Sequence, residues 1–368
     1  AELGCLRMTR AELLSILFNT SGAGIGIAGT SGKSTVTGML GWILHATGGD
    51  PTVMNGAVMK NFTGEDAPFT SSRVGSGDLF VSEVDESDGS IALFRPEVAV
   101  LNNISLDHKS LEELRQLFGD FAQAAKRAVY NADDAETQRL VGSLSLNNAI
   151  SFGTSEGADF RATHIVEAPH SIRFTLVARG EAHEVGLAVP GKHNVMNALA
   201  ALAAADALGV KLRKAVAAME SFTGLARRFD IVGSANDITV IDDFGHNPDK
   251  IAATLSTMRA FPGRIIAFFQ PHGFGPLKKM GKELAQTFAN ELADGDEVIL
   301  CDPVYYGGTT DRSVGSEAVV ADINDYGGSA QHIASREDCG HAIIAMARPS
   351  DRIVIMGARD DTLRSFAA

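Results

Sequence analysis

The chain has 368 residues, of which 45% are hydrophobic and 21% are charged, so we expect a globular protein of two or three domains with an ample core. Its net charge of −13, from 32 basic and 45 acidic residues, argues against non-specific binding to nucleic acid or to an anionic membrane surface. The three cysteines form no C-x-x-C pair, which argues against a zinc ribbon or a disulfide framework and suits a protein of the reducing cytoplasm.

Strands and helices alternate in the first part of the chain. Thr9 and Glu12 have the spacing of a capping box and open a predicted helix, TRAELLSILF. The elements predicted after it are a strand at 24–28, a helix at 33–47, strands at 78–83 and 97–102, and one long helix at 110–130. This alternation predicts an α/β fold, with a mostly parallel sheet that helices cover on both faces.

The pattern changes in the middle of the chain. Three segments within 157–189 alternate apolar and polar residues, which predicts antiparallel strands added to the sheet, and two helices follow at 193–209 and 211–222. A new series of strands and helices then begins. Its strands are predicted at 237–244, 264–270, 296–302 and 351–358. We therefore predict a first domain over 1–223 and a second, Rossmann-like α/β domain over 224–368.

A glycine-rich turn, GTSGKST at 29–35, lies between the first buried strand and the helix after it. Gly29 and Gly32 permit the backbone conformations that turn amide groups inward, and the helix N-terminus adds its dipole, so the turn can cradle a phosphate. Lys33 can reach the terminal phosphates of a nucleotide, and Ser34 can bind a magnesium ion. An ordinary glycine connection is the alternative, and the flanking strand and helix make it the weaker one.

Acidic residues follow the next predicted strand, in the segment EVDESDGS at 83–90. Ligands of open α/β sheets bind at the carboxyl ends of strands, and Mg²⁺ prefers carboxylate oxygens, so this segment can hold a metal ion. A solvated acidic loop explains it equally well. His108 lies past another strand end, where a packed or surface histidine is the simpler interpretation and Asp107 or Ser110 would cap the following helix.

The segment GKHNVMNALAA at 191–201 places three polar side chains at a helix start. Asn197 lies one helical turn after His193, so the two share a face, whereas Asn194 can serve simply as a cap. An asparagine amide can pair with both edge atoms of adenine. The segment therefore has two interpretations, an adenine contact or a capped helix.

Two further segments lie at the start of the second predicted domain. GLARRFD contains Arg227 and Arg228, which surface charge explains about as well as a binding role. IDDFGHNP places Asp243 and His246 directly after a strand, at the edge of the sheet where ligands bind in such folds.

Taken together, these segments resemble the Mur ligase family, the ATP-dependent amide ligases of peptidoglycan precursor synthesis. GTSGKST, EVDESDGS, NNISLDH, GKHNVMNALAA, ARRF and DDFGHNP each resemble a family motif, in the family's order and over nearly the whole chain. The resemblance is closest to the alanine-adding and muropeptide-recycling branches. It implies a P-loop central domain followed by a Rossmann-like C-terminal domain.

The resemblance implies a two-step reaction with ATP and Mg²⁺. An acceptor carboxylate attacks the γ-phosphate and becomes an acyl phosphate, and an amine then displaces phosphate to form an amide. The implied partners are a small-molecule carboxylate acceptor, expected to be a UDP-muramyl compound, and an amino acid or peptide. Nucleic acid and membrane are not expected as partners.

The resemblance also implies a role for each motif residue. The catalytic residues would be Lys33 at the β- and γ-phosphates, His108, Arg228 and His246. The metal ligands would be Ser34, Glu83 and His108. The nucleotide-binding residues would be Gly29, Thr30, Ser31, Gly32, Lys33, Ser34, Thr35, His193, Asn194, Asn197, Arg228 and Asp243. Within that set, Asp243 would hold the ribose, the asparagines and His193 the adenine, and Arg228 would approach the phosphates from the second domain.

Four features depart from the family pattern. Family members carry a further N-terminal domain for the UDP group, so the expectation is a shortened chain or a shorter branch that holds its acceptor differently. Gly273, in FQPHGFGPLKKM, stands where the alanine-adding enzymes have an arginine, which leaves the amino acid open. Lys126 is the nearest candidate for the carbamylated lysine of some members. The loop PVYYGGTTDRSVGS at 303–316 can line an amino-acid pocket or form an ordinary surface loop.

Two other functions remain open at this point. One is a Mur-like ligase that acts on a non-muramyl acceptor, as folylpolyglutamate and poly-amino-acid synthetases do. The other is an ATP-binding partner subunit that has no ligase activity of its own. The acidic segment EVDESDGS and the segment GKHNVMNA look more like the muramate branch than like the non-muramyl ligases. The chain keeps all the nucleotide-side residues, which argues against a purely structural subunit.

Overall fold

A computed structural model of the protein describes residues 7–105, 109–146, 148–305 and 311–368. The chain divides into two compact units, Ala1–Leu225 and Ala226–Ala368. Each unit is an α/β structure built on one sheet. Among the described residues, no helix has both the length and the apolar character that crossing a bilayer requires.

The first unit is built on a ten-stranded sheet. Its helices are α1 (Arg10–Asn19), α2 (Lys33–Ala46), α3 (Leu111–Gln123), α4 (Ala135–Ser143), α5 (Lys192–Ala207) and α6 (Leu212–Met219). Its strands are β1 (Ala23–Ala28), β2 (Thr52–Met54), β3 (Ser72–Arg73), β4 (Leu79–Glu83), β5 (Val98–Leu101), β6 (Arg127–Asn131), β7 (Ala149–Gly153), β8 (Phe160–Ala168), β9 (Ser171–Ala178) and β10 (Glu181–Leu187). The strand order is β10-β9-β8-β7-β6-β5-β1-β4-β2-β3.

The sheet is parallel from β8 to β2, and antiparallel strands extend it at both ends. The strands β8, β9 and β10 form the antiparallel end that the alternating pattern predicted, and the short β3 pairs with β2 at the other end. This arrangement confirms the predicted fold class. The capping box of α1 is also confirmed, since the amide of Glu12 donates to Thr9 Oγ1 at 3.1 Å.

The prediction of one long helix over 110–130 is wrong. Helix α3 ends at Gln123, and β6 pairs in parallel with β5 and β7 inside the sheet. Leu114, Phe118 and Phe121 share the buried face of α3, so its helical period is genuine. The short apolar run of β6 has no period that separates a strand from a helix, and no glycine or proline marks the break.

Strand β1 lies at the centre of this sheet and separates two layers of core. Ile25 and Ile27 pack in the core that contains α2 and α5. On the opposite face, Phe18 of α1 and Phe121 of α3 lie over glycines instead of over larger side chains. A Cβ on Gly26 would lie 2.6 Å from the ring of Phe121, so the glycine is required for this close approach.

The second unit is built on a six-stranded sheet. Its helices are α7 (Pro248–Arg259), α8 (Phe274–Glu291), α9 (Ser316–Asp325), α10 (Arg336–Met346) and α11 (Leu363–Ala367). Its strands are β11 (Asp230–Ala235), β12 (Ile238–Asp243), β13 (Ile265–Gln270), β14 (Glu297–Leu300), β15 (Ala330–His332) and β16 (Arg352–Gly357). The order is β11-β12-β16-β13-β14-β15, and every pairing except β11–β12 is parallel. The last strand therefore lies in the middle of the sheet.

We expect Gly26→Ala to lower the free energy of unfolding of the first unit by about 1–3 kcal/mol, because the new methyl group would collide with Phe121. Gly186→Ala is the matched control, since a Cβ there meets no described heavy atom within 4 Å. Urea unfolding followed by the fluorescence of Trp42, the single tryptophan of the chain, measures both variants. Equal losses in the two variants would contradict the steric account.

Candidate active site

The glycine-rich turn joins β1 to α2 at the carboxyl edge of the first sheet. Gly32 has a φ of 83°, in the left-handed region that favours glycine. A Cβ on Gly32 would collide with Asn102 Nδ2 and lie 2.5 Å from Asn197 Oδ1, so only glycine fits against these side chains. The first amide groups of α2 have no acceptor within the helix. They lie at its N-terminus, where the helix dipole carries partial positive charge. The turn thus has the geometry of an anion site.

Lys33 is the first residue of α2, and its side chain folds back over the turn. Its Nζ donates to the carbonyl of Gly29 at 2.7 Å and to the carboxylate of Glu86 at 2.8 and 3.1 Å. Glu86 is only 5% exposed, so this ion pair is largely shielded from water. A bound phosphate would lie within the same reach of Nζ and would share the ammonium group with Glu86. Sequence reasoning did not single out Glu86 within its acidic segment.

Ser34 and Glu83 meet beside the turn. The Ser34 hydroxyl donates to Glu83 Oε2 at 2.8 Å, because parallel pairing sets Glu83 of β4 opposite Ile27 of β1. A hydroxyl and a carboxylate oxygen side by side form the hard-oxygen donor set that Mg²⁺ prefers. These two residues therefore fit the predicted metal site. The third predicted ligand, His108, lies outside the described residues.

The first half of the turn is held by the segment that follows β5. The Ser31 amide and the Thr30 hydroxyl both donate to Asn103 Oδ1, at 2.8 and 2.9 Å. The Thr30 hydroxyl also lies 2.7 Å from Ser105 Oγ. Thr35 lies in the first turn of α2. Thr30 and Ser31 are thus bound to the neighbouring segment, while Lys33 and Ser34 carry the groups suited to phosphate and metal.

The structure brings the two predicted asparagines of α5 toward the turn. Asn194 Nδ2 donates to the carbonyl of Pro190 at 2.7 Å, and Asn197 Nδ2 donates to Asn194 Oδ1 at 3.1 Å. Asn197 Oδ1 in turn accepts from Asn102 Nδ2 at 3.2 Å. Both asparagines of α5 are buried, whereas His193 is exposed. Their predicted contact with adenine stays a prediction.

Lys126 does not belong to this site. It precedes β6, and its Nζ pairs with Glu97, which precedes β5, at 2.6 Å. Both residues therefore lie at the amino edge of the sheet, whereas the glycine-rich turn lies at the carboxyl edge. The side chain of Lys126 is also 77% exposed. Lys126 is therefore not placed to be the carbamylated lysine for which it was the nearest candidate.

Two adjacent arginines of the second unit have different surroundings. Arg227 is buried, and its guanidinium donates to Asp242 Oδ1 at 3.4 Å and to the carbonyl of Asp360 at 2.9 Å. Burial raises the pKa of Asp242 to about 6, although the Arg227 charge opposes this rise. The guanidinium of Arg228 lies 4.3 Å from the centre of the Phe244 ring, a cation–π contact. Arg227 is thus a structural anchor within the unit.

Asp243 ends β12 with its carboxylate turned into the second unit. It accepts hydrogen bonds from the amide of Phe229 at 2.8 Å, the amide of Gly245 at 2.7 Å and the hydroxyl of Thr254 at 3.0 Å. These bonds tie the loop after β12 to the middle of α7 and to the residue before β11. The predicted ribose contact of Asp243 stays a prediction.

His246 lies in the loop after β12, in a cluster of aromatic rings. Its ring centre is 5.3 Å from that of Phe244 and 5.2 Å from that of His272. Burial and then the charge of Lys250 lower the pKa of His246 to about 3, so its imidazole is neutral at physiological pH. Because the Phe244 carbonyl, 2.9 Å from Nδ1, can only accept, Nδ1 carries the proton and Nε2 is an acceptor.

Gly273 precedes α8 with a φ of 136°, a backbone conformation in which an arginine would be strained. The nearest described atoms would lie 3.8 Å from a Cβ at this position, so space itself is available. A cation that sequence reasoning missed lies close by. The guanidinium of Arg312 is 3.5 Å from the ring centre of Tyr305 and 5.8 Å from that of Phe274, the first residue of α8.

Another group of possible metal ligands lies at the carboxyl ends of β14 and β15. His332 Nε2 is 2.7 Å from Asp302 Oδ1, and His332 Nδ1 is 3.8 Å from Glu317 Oε1. The two carboxylates face different ring nitrogens, so they flank the imidazole on both sides. We assign no metal to it.

Comparison with known proteins identifies the family. Residues 27–205 match the Mur ligase middle domain, and residues 227–359 match the Mur ligase glutamate ligase domain. The chain belongs to the Mur ligase family. It is a ligase of the class that couples ATP to the formation of an amide bond.

Individual Mur ligases match almost the whole chain. UDP-N-acetylmuramate–L-alanine ligase of Ruegeria pomeroyi is 36% identical over 362 residues, which cover 95% of this chain and 75% of that protein. The enzyme of the same name from Agrobacterium fabrum is 35% identical over 370 residues, covering 96% and 76%.

Solved structures of the family have the same fold. UDP-N-acetylmuramate–alanine ligase MurC of Thermotoga maritima superposes with a TM-score of 0.78 at 26% identity, covering 97% of this chain and 76% of that one. The murein peptide ligase mpl of Psychrobacter arcticus gives 0.71 at 27% identity, covering 99% and 80%. The resemblance to this family that the sequence motifs indicated is therefore confirmed.

We expect the His246 imidazole to stay neutral between about pH 5 and 8, because burial and Lys250 lower its pKa to about 3. Nuclear magnetic resonance of the imidazole Cε1–H proton measures this directly, with the signal assigned by its loss in His246→Gln. A titration midpoint near the ordinary value of 6.5 would contradict the buried, neutral state.

Proposed function

We propose that the protein is a Mur-type ligase that joins the carboxylate of a UDP-muramyl-type acceptor to the amine of an amino acid or peptide, through an acyl phosphate made from ATP. The observation that carries this proposal is the cluster of Lys33, Ser34 and Glu83 around the glycine-rich turn. Relatives named UDP-N-acetylmuramate–L-alanine ligase, 36% and 35% identical, support the muramyl acceptor.

In this proposal, phosphoryl transfer depends on charge neutralisation and positioning by the first unit. Lys33 Nζ would donate to the terminal phosphate oxygens while the amide groups at the start of α2 hold the phosphates in line. Ser34 and Glu83 would hold Mg²⁺, which when bound neutralises charge on the phosphate oxygens. Glu86 would keep the Lys33 ammonium directed over the turn, because it binds Nζ through both carboxylate oxygens.

The roles implied for Arg228, Asp243 and His246 form part of the same proposal. The Arg228 guanidinium would neutralise phosphate charge. With a pKa of about 3, His246 is a poor proton carrier at neutral pH, so we propose that its Nε2 accepts a hydrogen bond and orients a reacting group. Asn194 and Asn197 would lie on the adenine side of the nucleotide.

Gly273 stands where the alanine-adding branch has an arginine, so the proposal leaves open which amino acid or peptide supplies the amine. The backbone at this position disfavours an arginine, and Arg312, which lies against Tyr305 and Phe274, is a cation near the start of α8. A non-muramyl acceptor and a partner subunit that binds ATP without ligating are the alternatives that the first experiment separates.

That experiment measures phosphate release from Mg-ATP while carboxylate acceptors are crossed with amines, and it weighs the products by mass spectrometry. The acceptors are UDP-N-acetylmuramate, its peptide derivatives and free carboxylates, and the amines are amino acids and short peptides. We expect release that needs both substrates, and a product of their summed mass less one water. ATP binding without acceptor-dependent release would instead support the partner subunit.

We expect Lys33→Ala to lower turnover at least about 100-fold, because it removes the cation that neutralises the transferred phosphoryl group. Lys126→Ala is the matched control, since Lys126 also pairs with a glutamate but lies at the amino edge of the sheet. Loss of an exposed pair is worth little, so its turnover should stay within about twofold of the parent. Normal turnover in Lys33→Ala, or equal losses in both variants, would refute the phosphate site.

A further inference from the structure

Three buried asparagines form a chain of hydrogen bonds between the start of α5 and the glycine-rich turn. From the α5 end, this amide relay consists of Asn194, Asn197 and Asn102, which are 5%, 4% and 3% exposed. Asn194 donates to the carbonyl of Pro190, and Asn102 donates to the carbonyl of Ser31 at 2.9 Å. Between these ends, each Oδ1 of the α5 asparagines accepts from the next Nδ2 along the relay.

The two carbonyls set the direction of the whole relay. A backbone carbonyl can only accept, so Pro190 fixes the amide orientation of Asn194, which fixes that of Asn197. Asn102 Nδ2 has two protons, and it donates one to Asn197 Oδ1 and one to the carbonyl of Ser31. No amide can flip without placing two acceptors, or two donors, against each other.

Asn102 is itself anchored in the sheet, so it provides a fixed point. The backbone amide of Asn102 donates to the carbonyl of Ala28 at 2.9 Å, and its backbone carbonyl accepts from Asn131 Nδ2 at 3.0 Å. Its Oδ1 is buried and has no hydrogen-bond partner among the described residues. Leaving a buried acceptor without a donor costs free energy. The orientation of the Asn102 side chain that leaves Oδ1 without a donor is the one in which both Nδ2 protons make hydrogen bonds.

The relay determines which way the next peptide group of the turn faces. In a trans peptide, the carbonyl of Ser31 and the amide of Gly32 point in opposite directions. Asn102 and Asn103 both donate to the Ser31 carbonyl, at 2.9 and 3.1 Å, and so hold it toward the sheet. The Gly32 amide is thereby turned away from the sheet, where an anion at the start of α2 can accept from it.

We propose that Asn102 is a positioning residue for nucleotide binding: it aims the Gly32 amide at the phosphates and couples that amide to Asn197 at the start of α5. This inference rests on the proposed use of ATP. Asn102 acts through the Ser31 carbonyl, so its loss should weaken the binding of nucleotide and leave the binding of acceptor and amine unchanged. The sequence motifs gave no role to Asn102.

The test replaces Asn102 by leucine, which has a similar volume and no hydrogen-bonding group. In Asn102→Leu we expect the Kd and the KM for Mg-ATP to rise about tenfold, since the hydrogen bonds of Asn102 to the Ser31 carbonyl and to Asn197 are lost. The KM values for acceptor and amine should stay within about twofold of the parent, because the proposal gives the relay a role in nucleotide binding alone. A Kd for ATP equal to that of the parent, or an equal rise of all three KM values, would overturn the proposal.

Ser151→Ala is the control, since Ser151 is also a buried polar residue of the first sheet but its hydroxyl exchanges hydrogen bonds with Asp159 and not with the turn or with Asn102. Its ATP affinity should match that of the parent. Asn102→Ser, which keeps one donor and disturbs packing less, is measured beside it by unfolding and ATP titration. We expect it to bind ATP more weakly than the parent does, and parental affinity in a folded Asn102→Ser protein would also overturn the proposal.

A double-mutant cycle tests the coupling itself. If Asn102 and Asn197 act through one relay, Asn102→Leu combined with Asn197→Leu should weaken ATP binding by less than the sum of the two single losses. Fully additive losses would refute the coupling. A parent protein that neither binds nor turns over ATP would refute the proposed function instead, so the two failures are distinguishable.

Discussion

Parallel hydrogen bonding of β1 to β4 on one side and to β5 on the other brings three distant segments of the chain to one edge of the first sheet. The register sets Ile27 of β1 opposite Glu83 and Ala28 opposite Leu101. Glu83 therefore meets Ser34, and Asn102 and Asn103 lie under the glycine-rich turn. A slip of one residue in either ladder would turn these side chains to the other face of the sheet.

Two glutamate carboxylates bind the side-chain groups that would contact a nucleotide and a metal ion. Glu86 binds the Lys33 ammonium, and Glu83 binds the Ser34 hydroxyl. Glu86 is buried, so leaving its charge without a partner would cost several kcal/mol. Lys33 can therefore serve a phosphate only if it keeps its contact with Glu86 or if another cation or a proton replaces it there. The arrangement favours a lysine that bridges phosphate and carboxylate over one that swings between them.

Sequence reasoning succeeded where the signal is local. Neighbouring residues are enough to predict the capping box of Thr9 and Glu12, the limits of α2 and the glycine-rich turn. The motifs, in their order along the chain, identified the family. Sequence reasoning failed for β6, whose identity as a strand depends on β5 and β7 rather than on its own periodicity. Glu86 and Asn102 were missed because their partners are 53 and 71 residues away along the chain. Nothing in the motif separated the buried Arg227 from Arg228 beside it.

The central place of β16 in the second sheet has a consequence for biosynthesis. Residues 352–357 are synthesised after every other strand of the second unit, yet they separate β12 from β13. Until these residues leave the ribosome, the two flanking strands have an open gap of unpaired backbone between them. The first unit has all of its strands much earlier, so its sheet can form while the second is still incomplete. During that interval the nascent second unit depends on dilution, or on a chaperone, to keep its strand edges from pairing with another chain.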